Sequence, residues 1–213
     1  MANKNMIEQA KDTETKILDA AKEVFQQKGL TGARMQEIAD KAGINKALLH
    51  YYYRTKDKLF EKVFELAFSL FIPRVKEMMM SEKSVFEKIE FIVDNYINLL
   101  HKHPYIPGFI INELNRNPQM LVQLFEKNVQ FKEINLFEKF DNQLQDEVNK
   151  GIIRSVDSRN LMTNVIGLCI FPIVARPIIQ GVMFNNDKKA YEAFLAQRKQ
   201  FVVDFIINSI KVK

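Results

Sequence analysis

Glycine and proline are scarce in this chain, with 7 and 6 residues among 213. These two residues supply most of the positions at which a backbone turns sharply, so their scarcity predicts long uninterrupted helices and argues against a β-rich or doubly wound fold. A hydrophobic share of 47% is enough for a packed core, which excludes a disordered chain or a collagen-like repeat, and the length suits one large domain or two small ones. The single cysteine, Cys169, excludes a disulfide framework and a four-cysteine zinc site. The longest clean apolar run, Val165 to Ala175, has 11 residues, and a membrane-spanning helix needs roughly 20. Met1 to Asp12 is polar and lacks the apolar stretch of a secretory signal. A cytoplasmic protein with no membrane partner is expected.

Helical periodicity organises the chain. Ile17, Leu18, Ala21, Val24 and Phe25 recur at helical spacing after Asp12, a candidate N-cap, and Gly29 stands where a left-handed C-cap would end the helix. Met35, Ile38, Ala39 and Ala42 form a short second helix that Gly43 stops. After a three-residue turn, Asn45 caps a third helix on which Leu49 and Tyr53 lie one turn apart, and Thr55 with Asp57 opens a fourth. Pro73 marks a break after it. Ser84 and Glu87 form a capping box ahead of Ile89, Ile92 and Val93. Further breaks are predicted around Pro107 and at Asn115 to Pro118, then one long helix over 119–149, stopped by Gly151. Two strongly apolar helices, about 158–179 and 188–212, close the chain. Their apolar residues occupy more than one stripe, so both sides must be covered, one by the chain's own core and the other by a partner subunit.

Three short helices with a tight glycine turn between the second and third outline a helix-turn-helix, which reads DNA with its later helix in the major groove. At about 100° per residue, Leu49 and Tyr53 point one way, while Ala47, Leu48, His50 and Tyr51 spread over the opposite arc with Lys46 at its edge. Hydroxyl and imidazole groups bond phosphates or base edges, and a small residue such as Ala47 allows close approach. Charge agrees: Lys28 to Lys58 holds seven basic and three acidic side chains.

Residues Gly29-Leu30 through Met35, Ile38-Ala39, Ala42-Gly43-Ile44-Asn45-Lys46, Leu49-His50-Tyr51-Tyr52-Tyr53 and Thr55-Lys56-Asp57-Lys58-Leu59 resemble the tetracycline-repressor (TetR/AcrR) type of bacterial transcriptional regulator. The resemblance covers about 13–68. It implies an all-α homodimer with an N-terminal helix-turn-helix DNA-binding domain at 1–56 (motif about 34–53) and a C-terminal helical domain at 57–213 for ligand binding and dimerisation, about 158–212 making a four-helix bundle with the partner. It implies a repressor that binds a palindromic operator in double-stranded DNA and leaves it when a small-molecule effector binds, with no cofactor. Carried over by position, Gln36, Lys46, Ala47, Leu48, His50 and Tyr51 face the groove, and Asn45, Tyr52 and Lys56 hold phosphates. This sequence departs from the family at Leu48, which is apolar, and at Arg34, which cannot accept the N–H bonds that a Ser or Thr cap would. Arg34 is expected at a phosphate instead.

No other motif competes. His101 and His103 form an H-x-H pair without further ligands at metal-site spacing, and no nucleophile elbow, zinc-protease, phosphate-loop or dinucleotide-binding pattern occurs, so neither metal nor enzymatic activity is expected. The body is rich in Phe and Met with polar groups interspersed, which suits an apolar cavity with a few polar handles. Tyr96, Tyr105, Phe109, Phe131, Asn164 and Arg176 are the candidate ligand residues, and Pro73 with the helix before it is the candidate lever to the head. The alternative is a helical small-molecule-binding protein or enzyme without DNA affinity.

Overall fold

A computed structural model describes residues 2–103, 105–129 and 136–212, with side chains placed for 10–103, 106–127 and 137–212. Their regular structure is helical: α1 (Ala2–Gly32), α2 (Met35–Ala42), α3 (Lys46–Tyr52), α4 (Lys56–Ser69), α5 (Ile72–Met80), α6 (Val85–Lys102), α7 (Tyr105–Arg116), α8 (Pro118–Val129), α9 (Leu136–Asn149), α10 (Ser158–Val174) and α11 (Lys188–Ile210). Among the described residues the sole β-type pairing is the bridge between Ile153 and Lys211.

Local chemistry sets most of the ends. Gly43 takes φ 69 and ψ 30, and its N–H returns to the end of α2. Asn45 Oδ1 accepts from Leu48 N at 2.8 Å, and Thr55 Oγ1 from Lys58 N at 3.2 Å. Ser84 and Glu87 complete both halves of the capping box. α5 carries Pro73 in its first turn, after the break that follows Ser69.

Other boundaries differ from the sequence reading. α1 begins at Ala2, not near Asp12: Asp12 pairs with Lys16 one turn on, and the residues before it include no helix breaker. Gly29 interrupts α1 without ending it. Pro107 sits inside the first turn of α7, where its missing N–H costs nothing, so it makes no break. The span 119–149 contains α8 and α9, with 130–135 outside the described residues. α10 stops at Val174, ahead of Pro177, and the chain continues through the helical turn Arg176–Ile178 and the π-helical turn Ile179–Met183.

The chain forms two compact units, one of residues up to Ser69 with Gly108–Asn128, the other of Leu70–Pro107 with the residues from Val129 on. The boundary drawn at 56/57 from sequence falls inside the first unit. Its core joins Ile17, Ala21, Phe25, Ile38, Leu49, Leu59, Phe60 and Phe64 to Phe109, Leu121 and Leu124. Aromatic rings knit it: Phe25 and Phe60 meet edge-on at 5.1 Å, and Phe64 stacks on Phe68 at 4.3 Å. In the second unit Ile89, Ile92, Val93, Val165, Val202 and Ile206 make a separate core of α6, α10 and α11. No single helix among the described residues is long and apolar enough to cross a membrane.

Candidate nucleic-acid interface

Helix α3 is anchored on one face and open on the other. Leu49 is fully buried and Tyr53 nearly so, while Lys46, Ala47, Leu48, His50 and Tyr51 are exposed, Tyr51 to 82% of its surface. A seven-residue helix cannot hold itself in water, so the buried pair fixes its pose and leaves its opposite face for another molecule. The Tyr53 hydroxyl donates to Glu14 Oε1 at 2.9 Å, which ties the end of α3 to α1. Burial and that carboxylate push the phenol above its ordinary range, so it stays protonated. His50 Nδ1 lies 3.2 Å from the Arg54 carbonyl. In the neutral ring this contact puts the proton on Nδ1 and leaves Nε2 an acceptor.

The cations of the 28–58 window divide sharply. Lys28 pairs with Glu37 at 2.7 Å, Lys41 with Glu23 at 2.7 Å and Lys58 with Glu61 at 3.2 Å. Lys56, expected at a phosphate, directs its ammonium to the carbonyls of Ala33 at 2.9 Å and Thr31 at 3.3 Å, acceptors that the chain leaving α1 brings to it. Among the described residues Arg34, Lys46 and Arg54 form no ion pair, and all three are exposed. Arg34 occupies the N-cap of α2 and makes no side-chain cap bond, as its chemistry requires. Arg54 was passed over in the sequence reading, although the basic window contained it.

The remaining positions sort as follows. Asn45 is exposed, with its carbonyl oxygen engaged in the α3 cap. Gln36 is exposed and its amide donates to Asp40 at 2.7 Å. The Tyr52 hydroxyl donates to the Ala10 carbonyl at 3.3 Å and its ring meets Tyr51 edge-on.

The described ligand candidates are divided between the two compact units. Phe109 is buried in the first unit's core beside Phe60, at 5.0 Å between ring centres. Tyr96 lies in the second unit against Phe71, and burial pushes its hydroxyl up to about 12. Asn164 is exposed. Arg176 is exposed too, donating to Gln180 and lying 5.3 Å over the Tyr191 ring. Tyr105 and Phe131 side chains lie outside the described residues. A cleft of about 280 Å³ in the second unit is lined by Asp141, Gln145, Ser155 and Asp157 among others, and by none of the candidates. Among the described residues no His, Cys, Asp and Glu group is placed to hold a metal ion.

Residues 17–63 match the sequence pattern of bacterial regulatory proteins of the tetR family. The chain carries the helix-turn-helix head of the tetR family. It is a helix-turn-helix DNA-binding transcriptional regulator, and its described residues share the helical fold of solved transcriptional regulators. It is 33% identical over 110 residues to the transcriptional repressor NicS of Pseudomonas putida, spanning half the length of each chain. It is 25% identical over 189 residues to the transcriptional regulator UidR of Escherichia coli, covering 87% of this chain and 94% of that one. Among solved structures, HlyIIR, a hemolysin II transcriptional regulator, superposes with a TM-score of 0.60 at 21% identity, over 95% of this chain and 99% of its own. FadR of Bacillus subtilis in complex with stearoyl-CoA superposes at 0.62 and 19% identity, over 91% and 97%.

Proposed function

We propose that the protein is a one-component repressor that binds a palindromic operator as a homodimer and is released by a small-molecule effector. The observation that carries this reading is the set Arg34, Lys46 and Arg54, three exposed cations around an α3 face that offers Ala47, Leu48, His50 and Tyr51. Such cations take phosphates and release counterions, while His50 Nε2, the Tyr51 hydroxyl and the Leu48 methyls meet base edges or thymine methyls. Gln36, Asn45 and Tyr52 border the same face, and Lys56 holds the segment before α2 in place. Such a protein works beside the chromosome, which places it in the cytoplasm.

A second copy of the chain covers the apolar ridge of the second unit. Phe171 on α10, Phe201 and Phe205 on α11, and Ile178, Val182 and Met183 between them are each more than half exposed. Phe201 and Phe205 stack at 6.2 Å on one helix face. Large apolar patches on a soluble protein mark association surfaces, and a two-fold contact sets two α3 helices for half-sites about 34–36 Å apart. Asn164 and Arg176 border this ridge, which favours a place at the subunit contact over one in a ligand cavity. The effector is a small molecule with an apolar body, seated in the second unit beside Tyr96. It releases DNA by binding more tightly to a dimer whose heads are out of register, and the shift is bounded by that difference in affinity.

Binding to the DNA flanking the protein's own gene, measured by fluorescence anisotropy at two salt concentrations, tests the reading. A steep fall in affinity with salt is expected. Equal weak binding to every duplex, or none, would refute it.

A further inference from the structure

Glu113 on α7 is fully buried, an environment in which a carboxylate must find donors. It finds two: Leu30 N donates to Oε1 at 2.8 Å and Asn117 Nδ2 to Oε2 at 2.7 Å. One helical turn on, Arg116 Nη1 donates to the Lys28 carbonyl at 2.7 Å. Lys28 and Leu30 flank Gly29, the single non-helical residue inside α1, with φ 68 and ψ −179. That ψ swings the Leu30 N–H away from the helix axis, and Glu113 meets it. Two side chains at i and i+3 of one helix thus grip the break in another from both sides, all within the first compact unit. The approach demands glycine twice over, since a Cβ at position 29 would lie 2.7 Å from Glu113 Oε1 and 2.9 Å from Arg116 Nη1.

The gripped segment leads straight to the proposed DNA surface. Four residues beyond Leu30 the chain presents Arg34 and enters α2. Lys28 reaches Glu37 in α2 at 2.7 Å, and Lys56 holds the Thr31 and Ala33 carbonyls. We infer that Glu113, with Arg116 beside it, is a positioning residue for operator binding: it fixes the direction in which the chain leaves α1 and so the pose of Arg34, α2 and α3. The inference rests on the DNA-binding reading above and assigns α7 the control of that interface.

Operator affinity of the full-length wild type is compared with Glu113→Ala, Glu113→Gln and Arg116→Met, with circular dichroism as the check on folding. The alanine variant is expected to bind about tenfold more weakly, since it strands the Leu30 N–H. Its salt slope should equal that of wild type, because no phosphate contact is lost. The glutamine variant is expected within about twofold of wild type, because its amide oxygen still accepts from Leu30 and Asn117 can reverse its own amide. An alanine variant as tight as wild type, or a glutamine variant as weak as alanine, overturns the assignment. If the alanine variant does not fold, Arg116→Met decides, with about a threefold loss expected and no loss refuting it. Wild type that binds no DNA refutes the DNA-binding reading instead. The grip is then judged by hydrogen exchange at the Leu30 amide, slow in wild type and the glutamine variant, with slow exchange in the alanine variant refuting it.

Discussion

Tyr53 at the end of α3 and Glu14 on α1, 39 residues apart, share a 2.9 Å hydrogen bond that joins the reading helix to the longest helix of its unit. Tyr53→Phe keeps the ring in its pocket and deletes the bond, so a loss of about 1 kcal/mol is expected in urea unfolding. The phenol's proton is held more tightly in the folded chain than at its ordinary value of 10.0. Its contribution is therefore complete below that pH and declines as pH rises above it, and the phenylalanine variant should lack this alkaline component.

Tyr51 offers a sharper test of the α3 face. At 82% exposure it contributes little to the unit's core, so Tyr51→Ala should leave the thermal midpoint unchanged. Loss of a base or phosphate contact should weaken operator binding by about 1–3 kcal/mol. Arg34→Ala and Arg54→Ala should each lower the salt slope by about one unit if each holds one phosphate. Anisotropy titrations at several salt concentrations read both effects, and an unchanged slope removes that arginine from the contact set.

The ridge of the second unit predicts assembly. Phe171 is 64% and Phe201 57% exposed, and placing a carboxylate at either inserts an unpaired charge into an apolar contact. Phe171→Glu and Phe201→Glu should shift the protein from dimer to folded monomer in analytical ultracentrifugation. Operator affinity should fall by several orders of magnitude, because one head then binds one half-site. A dimer undisturbed by both changes would place the interface elsewhere.

Glu87 gives the body an acid limit. The Lys83 ammonium first, then the Ser84 backbone N–H and hydroxyl, hold its carboxyl down to about 2 from an ordinary 4.5. The unfolded chain binds this proton more readily, so the contribution is intact above about pH 4.5 and is lost as pH falls towards about 2. Glu87→Gln should flatten this part of the acid unfolding curve, measured as urea midpoints across that window.

The turn at Gly43, the Asn45 cap, the Ser84–Glu87 box and the Leu49–Tyr53 face were all legible in the sequence, because each depends on groups within about four residues of one another. The outward set on α3 followed from the same periodicity. The start of α1 was not legible: Asp12 has the chemistry of a cap, and only the placed chain shows it inside a continuing helix. Glu113 left one faint local trace, a carboxylate in line with apolar Ile106, Phe109 and Ile110.

By itself the sequence determined the helical class, the succession from α1 to α4 and which α3 side chains face outward. Only the tertiary structure decided that Lys56 serves the end of α1, that Phe109 belongs to the core around Phe60, and that Glu113 grips the break at Gly29. Those outcomes depend on donors and acceptors 23 to 83 residues apart, and on burial that makes an unmet polar group costly. No local pattern encodes a partner at that distance, because packing chooses it.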